Sequence, residues 1–282
     1  MNIRFITDSA SDMIYGTRDD LTFLPLTINF GDHSYQDGVD LSHKEFYEKL
    51  VESDALPTTS QIGPAAFEEA FQKVQDAGEV AIVVTMSSKL SGTYQSACIA
   101  AEEFPGVIHV VDSANVTLGE RALIEYGLQL KDQGMEVQEI IDALEREKGH
   151  VRLVALLDTL EYLKKGGRIS KTVAFAGGLM AIKPVLELRD GELQMLGKAR
   201  GSKQGHNLLV QAIEKAGGIN FDLPYFLGYT GLSDALLQKY ITDSSTLWKE
   251  HADHLDINTV GGAIGTHAGP GAIAVAFFEN HQ

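Results

Sequence analysis

The stretch "VAIVVTMSSKLSGTYQSACIAAEEF" runs from Val80 to Phe104. Its first five residues are apolar and mostly β-branched, the pattern of a strand buried on both faces. Ser91 then stands as the N-cap, or the neighbour of the cap, of an alanine-rich helix. A strand that ends in a polar turn and opens a helix is the repeating unit of a parallel α/β sheet. The turn carries Ser87, Ser88, Ser91 and Thr93 but a single cation, Lys89.

The same alternation extends outward from this unit. Upstream, "IRFIT" reads as a strand ending in "DSASD", and "LTFLPLTINF" as one or two extended segments. Ser42 with Glu45 three residues on is a capping box, which predicts a helix over "HKEFYEKLVES". "PTTSQIG" reads as a loop. Pro64 suits a first helical position, with Phe67, Phe71 and Val74 at helical spacing and Gly78 as the stop. Downstream, "VIHVVDS" is a further strand and "LGERALIEYGLQLKDQG" a further helix. The second half changes character. "VLELRDGELQML" is a hairpin turning at Asp190-Gly191, "SKQGHNLLVQAIEKAGG" is a helix, and a long helix is expected from Ser233 to about Glu250. The expected architecture is α/β: a parallel-sheet domain over 1–149, an α+β domain with mixed or antiparallel pairing over 150–282, and a ligand site between them.

A chain of 282 residues is long enough for two such units. The net charge of −16 argues against a nucleic-acid backbone or an anionic membrane as main partner. Cys98 is the single cysteine, so neither an internal disulfide nor a multi-cysteine zinc site is expected, and it reads as a buried, inert thiol. No apolar run approaches the ~20 residues of a membrane span, and "MNIRFITDSASD" lacks a signal-peptide layout, so a cytoplasmic protein is expected.

Four segments put small polar residues where a parallel sheet binds ligands: Thr7–Asp12, Thr58–Ser60, Ser91–Thr93 and Gly265–His267. Each has a structural alternative. Ser91 serves equally as a helix cap, Thr59 as a turn residue, and Asp8 and Asp12 as caps or turn residues. Gly269-x-Gly271-x-x-Ala274 imitates a dinucleotide fingerprint but precedes a strand, where the fingerprint must follow one; its glycines instead allow a tight turn that fixes His267. In "LKKGGRIS", Lys164 and Lys165 suit a last helical turn and Gly166 a left-handed terminator, leaving Gly167 and Arg168 unexplained. Lys198, Arg200 and Lys203 form a basic cluster that reads by default as a solvated face. A serine hydrolase with Ser91 as nucleophile, His267 as base and Asp8 or Asp112 as orienter is the competing reading of the same residue types. No phosphate-binding loop, Gly-x-Ser-x-Gly elbow or His-Glu-x-x-His is present.

The motifs "TDSASD", "TTSQ", "LSGTYQSA", "LEYLKKGGRIS", "KAR" and "HAGPGA" occur in an order that resembles the DegV family of fatty-acid-binding proteins, over nearly the whole chain. The resemblance implies a long-chain fatty acid such as palmitate as ligand, with no cofactor or metal. It also implies that the chain is a binding protein rather than an enzyme. It further implies that the hydroxyls of Thr59 and Ser91 hold the carboxylate with His267 nearby, and the expected ligand-binding residues are Thr59, Ser60, Ser91, Gly92, Thr93, Arg168 and His267. In relatives that serve as the acyl-binding subunit of a fatty-acid kinase, the partner kinase phosphorylates the bound carboxyl group. The residues matching Arg200 and His267 are associated there with partner engagement or phosphoryl transfer.

Overall fold

The computed structural model describes residues 2–53, 55–169, 182–251 and 255–281. The Val80–Phe104 stretch folds as its composition dictates. β6 (Val80–Thr85) is buried at every residue, and α3 (Thr93–Ala101) follows it. β6 lies inside a four-stranded parallel sheet of order β2-β1-β6-β7, with β1 (Ile3–Asp8), β2 (Leu21–Leu24) and β7 (Ile108–Asp112). α2 (Pro64–Asp76) and α3 pack on this sheet, as do α4 (Leu118–Asp132) and α5 (Val137–Glu147).

β3 (Thr27–Phe30), β4 (His33–Gln36) and β5 (Thr58–Ser60) form a small antiparallel sheet beside it, followed through β4 by α1 (His43–Glu52). The Ser42–Glu45 capping box on α1 is present in both directions, and Pro64 opens α2. "TTS" is therefore a strand where a loop was expected, because it pairs with β3 across 31 residues of sequence.

The second half forms one mixed six-stranded sheet. It comprises β8 (Val151–Leu156), β9 (Ile182–Arg189), β10 (Glu192–Arg200), β11 (Phe226–Tyr229), β12 (Ile257–Thr259) and β13 (Ile273–Phe278), in the order β10-β9-β8-β13-β11-β12. All its pairs are antiparallel except β11 with β12. Asp190 and Gly191 turn the β9–β10 hairpin with φ of 51° and 79°, as the Asp-Gly pair predicts. After β8 comes the short α6 (Glu161–Gly166), and after β10 comes α7 (Ser202–Lys215). The long helix expected after Ser233 is broken into α8 (Ala235–Asp243) and α9 (Ser245–Trp248). At the break, the Ser244 hydroxyl donates to the Tyr240 carbonyl and accepts from the Trp248 indole at 3.0 Å.

α4 joins the two sheets. It packs on β6 and also on β8, β11 and β13, and is buried nearly all round, from Leu118 to Leu130. Gly127 lets it approach: a Cβ there would lie 2.8 Å from the Phe5 ring. Residues of both halves share one hydrophobic core, in which Phe5 and Leu123 pack with Leu153 and Phe278. Among the described residues, no helix is long and apolar enough to cross a membrane. Cys98 is half-buried in α3, more open than expected.

Candidate ligand-binding site

Strand alternation in the six-stranded sheet makes one wall of a cavity. On β8 and β9, Leu153, Ala155, Leu186 and Leu188 face the cavity, while Val154, Leu156 and Val185 face Leu209 and Ile213 of α7. Ala274 of β13 and Leu193 of β10 extend the wall. Opposite them lie Leu26, Met86, Leu90 and Val116 from the first half. The cavity is thus built between the halves from aliphatic side chains.

Its polar end is made by Thr59, Gln61, Ser91, Arg168 and His267. Thr59 points inward because it is the middle residue of β5; its neighbours Thr58 and Ser60 are exposed. Ser60 instead accepts from Asn29 Nδ2 at 3.2 Å, so this proposed ligand residue does not reach the cavity. His267 is carried not by a loop, as expected, but by α10 (Gly262–Ala268). Its Nε2 lies 2.9 Å from Thr59 Oγ1. Burial, and then the nearby Arg168 guanidinium, push its pKa down to about 4, so the ring is neutral at pH 7.

The glycines of "LKKGGRIS" now separate. Gly167, with φ of 69°, is the left-handed terminator of α6, correcting the assignment of that role to Gly166. Gly166 is the last helical residue, and a Cβ on it would overlap His267 Nδ1. Gly269, with φ of 71°, likewise admits the Tyr162 ring. Arg168 crosses the mouth, its guanidinium donating to Leu90 O at 3.2 Å and to Gly166 O at 2.7 Å.

Ser91 precedes the true N-cap, Gly92, which makes no side-chain cap bond. The Ser91 hydroxyl accepts from Thr93 N at 3.2 Å and lies 2.9 Å from Thr93 Oγ1. Thr93 is fully buried and supports Ser91 without lining the cavity. Gly92 also lies outside the lining. A Cβ there would overlap the amide of Gln61, which donates to Ser96 Oγ at 3.0 Å. Gln61 therefore locks the Ser91 turn to β5. It stands in the "TTSQ" motif, but nothing in its local pattern sets it apart from an ordinary loop glutamine.

The hydrolase arrangement is not assembled. His267 pairs with Thr59 rather than Ser91, and its Nδ1 has no partner among the described residues. Asp8 accepts from Ala10 N and Met86 N, and Asp112 from Ser88 N and Ala114 N, so neither orients the imidazole. Arg200 lies at the end of edge strand β10, exposed and outside the cavity lining, with its backbone N–H on Gln204 Oε1. Among the described residues, no group of three or more His, Cys, Asp or Glu side chains is placed to hold a metal ion.

Two sheets joined by one helix, with a largely aliphatic cavity between them that carries hydroxyls, an uncharged imidazole and one guanidinium at one end, define an α/β protein with a candidate binding site between its halves. The chain belongs to the DegV family: the profile described as "Uncharacterised protein, DegV family" matches residues 2–280. A DegV domain-containing protein of Caldanaerobacter subterraneus subsp. tengcongensis is 32% identical over 286 residues, spanning 98% of this chain and 99% of the relative. A solved DegV-family structure from Thermus thermophilus, described for its fatty-acid binding, is 30% identical with a TM-score of 0.88. That match covers 99% of this chain and 100% of its own. The fatty-acid kinase B3 protein of Streptococcus pneumoniae, solved with linoleic acid, is 24% identical with a TM-score of 0.86, over 99% of this chain and all of its own; at that identity the likeness concerns the fold.

Proposed function

We propose that this protein binds one long-chain fatty acid in the cytoplasm, with its carboxylate at Thr59, Ser91 and Arg168 and its tail along the aliphatic wall. The observation that carries the reading is the chemistry of one end of the cavity: the Thr59 and Ser91 hydroxyls, a neutral imidazole and the Arg168 guanidinium beside a long run of aliphatic wall, with Thr117, Glu187, Tyr229 and Thr230 as further polar residues of the lining. A proton on His267 Nε2 donates to Thr59 and frees the Thr59 hydroxyl proton for a ligand oxygen. The Ser91 and Thr93 hydroxyls lie 2.9 Å apart, and with Thr93 as the donor the Ser91 hydroxyl proton is likewise free for the second oxygen. Polyphosphates need more positive charge; a lone carboxylate is satisfied by such donors. The tail supplies the affinity. At about 0.8 kcal/mol per buried CH₂, a chain of ~16 carbons gains a gross ~12 kcal/mol before ordering costs. The head must be paired so that its burial does not cancel that gain. The fatty-acid binding described for the Thermus thermophilus relative supports the same reading.

Denaturing extraction and mass spectrometry of protein from a heterologous host should find a C14–C18 fatty acid. Absence of lipid, together with no heat of binding for palmitate or oleate, would end the proposal. The finer reading is that a partner kinase converts the bound acid to an acyl phosphate, while this chain alone does not. The motif resemblance and the exposed Arg200 support it. His267→Ala and Arg200→Ala should then lose acyl-phosphate formation more than fatty-acid binding. Wild-type turnover in both variants, with a cognate kinase and ATP, would show that neither residue takes part in the transfer, and no turnover in the wild-type protein would leave a plain carrier.

A further inference from the structure

α10 has seven residues, too few to hold its own shape or direction in isolation. Its orientation comes from side chains more than 200 residues away. Gly261 N donates to Asp12 Oδ1 at 2.7 Å, Gly262 N to Asp37 Oδ1 at 3.1 Å, and Ala263 N to Asp37 Oδ2 at 3.2 Å. The Tyr47 hydroxyl donates to Val260 O at 2.9 Å. Asp12, Asp37 and Tyr47 are all buried, and none of them lines the cavity.

Glycine makes the fit possible. A Cβ on Gly262 would lie 2.5 Å from Ile28 Cδ1, and one on Gly265 would lie 2.6 Å from the Tyr47 hydroxyl. Asp12 holds a second element as well, accepting a short hydrogen bond from the Thr117 hydroxyl. Thr117 lines the cavity with φ of 50°, a left-handed conformation that a β-branched residue adopts only when its surroundings impose it.

We propose that Asp12 and Asp37 are positioning residues of the binding site: their carboxylates fix α10 so that His267 meets Thr59, and Asp12 ties the same helix to the cavity wall at Thr117. A hydrogen bond of 2.9 Å does not survive a helix shift of about 1 Å, so the polar end exists only while these anchors hold. The two carboxylates differ in a way that can be tested. Asn can replace Asp12, because its carbonyl still accepts from Gly261 while its NH₂ donates to a Thr117 hydroxyl reversed to accept. Asn cannot replace Asp37, whose two oxygens both face backbone N–H groups.

The test combines palmitate calorimetry with NMR titration of the His267 imidazole, on folded Asp12→Asn, Asp12→Ala, Asp37→Asn and Tyr47→Phe proteins. Asp37→Asn and Asp12→Ala are expected to weaken palmitate binding by about tenfold or more and to raise the His267 midpoint toward the ordinary range. Asp12→Asn should restore both readouts, and Tyr47→Phe should show the same pattern at about threefold. An unmoved His267 midpoint with unchanged affinity in Asp37→Asn and Asp12→Ala would overturn the proposal. Should those two not fold, an unmoved midpoint in Tyr47→Phe overturns it. Only the affinity arm rests on the fatty-acid reading: wild-type protein that ignores palmitate defeats that reading, and the imidazole titration still decides this one.

Discussion

The polar end of the cavity and the buried acidic groups behind it treat their hydrogen-bonding capacity in opposite ways. At the cavity, Thr59, Ser91 and His267 pair with one another or with Thr93 and keep donors to spare. Elsewhere, Asp8, Asp12 and Asp37 use their oxygens on Ala10 N, Met86 N, Gly261 N, Gly262 N, Ala263 N and the Thr117 hydroxyl, and Glu120 is fully buried beside Thr7 at 3.3 Å, with only its Oε2 left unpaired among the described residues. The first cluster leaves hydroxyl protons facing the cavity on the proposed reading. The second is consumed in holding the chain together.

The clusters also titrate with opposite sign. Burial pushes Asp8 up to about 7 and Asp12 up to about 6, and raises Asp37 and Glu120 too. The folded state keeps these protons where the unfolded chain, with carboxyl values near 4, releases them. Their contribution to stability is therefore present at low pH and is lost as pH rises through about 6 to 7. His267, held at about 4, works the other way. The unfolded imidazole takes a proton near 6.5, so its contribution is present above that value and is lost as pH falls toward 4. Thermal unfolding of wild type and His267→Phe between pH 4 and 8 should differ most at the acid end. Parallel curves would contradict the assignment.

The largest effect is expected at Gly166, where a side chain must displace the His267 ring. Gly166→Val should cost about 3 kcal/mol of palmitate affinity; unchanged binding would mean that the imidazole is not needed at the head. Ser91→Ala comes next, at about 1–3 kcal/mol of affinity if its hydroxyl serves a buried carboxylate. A loss confined to thermal stability would make Ser91 a helix-start residue only. Glu120→Gln tests the other cluster. Removing its ionisation should raise Tm by about 2–4 °C at pH 8 and by little at pH 5, and a pH-independent effect would refute the buried-acid account. Ser60→Ala should move neither affinity nor stability by more than about 0.5 kcal/mol, since Ser60 faces out of β5. A measurable affinity loss there would break the division between inward Thr59 and outward Ser60.

What was legible in the sequence was local. The strand-turn-helix at Val80–Ala101, the Ser42 capping box and the Asp190-Gly191 hairpin each depend on residues a few positions apart, and each stands as read. The convergence of Thr59, Ser91, Arg168 and His267 was legible only through motif resemblance. The misread features depend on distant partners. "TTS" becomes a strand by pairing with β3, and that pairing turns Ser60 outward. "GAIGTHA" becomes a helix despite its glycines because Asp12, Asp37 and Tyr47 hold its start. Gly166 serves His267, a residue 101 positions later in a chain whose local pattern gives no sign of it. Asp12 reads as a cap or turn residue for the same reason: its backbone partner, Gly261, is 249 positions away in sequence.

The central claim is that the polar end of the cavity, with its hydroxyls, uncharged imidazole and single guanidinium, holds a carboxylate. Calorimetry of the delipidated protein with palmitate and with its methyl ester tests it directly, because the two share a tail and differ in the head. Palmitate should bind at least about tenfold more tightly, the worth of a charge-assisted hydrogen bond. Equal affinities would show that the tail alone is recognised and that Thr59, Ser91 and His267 are structural.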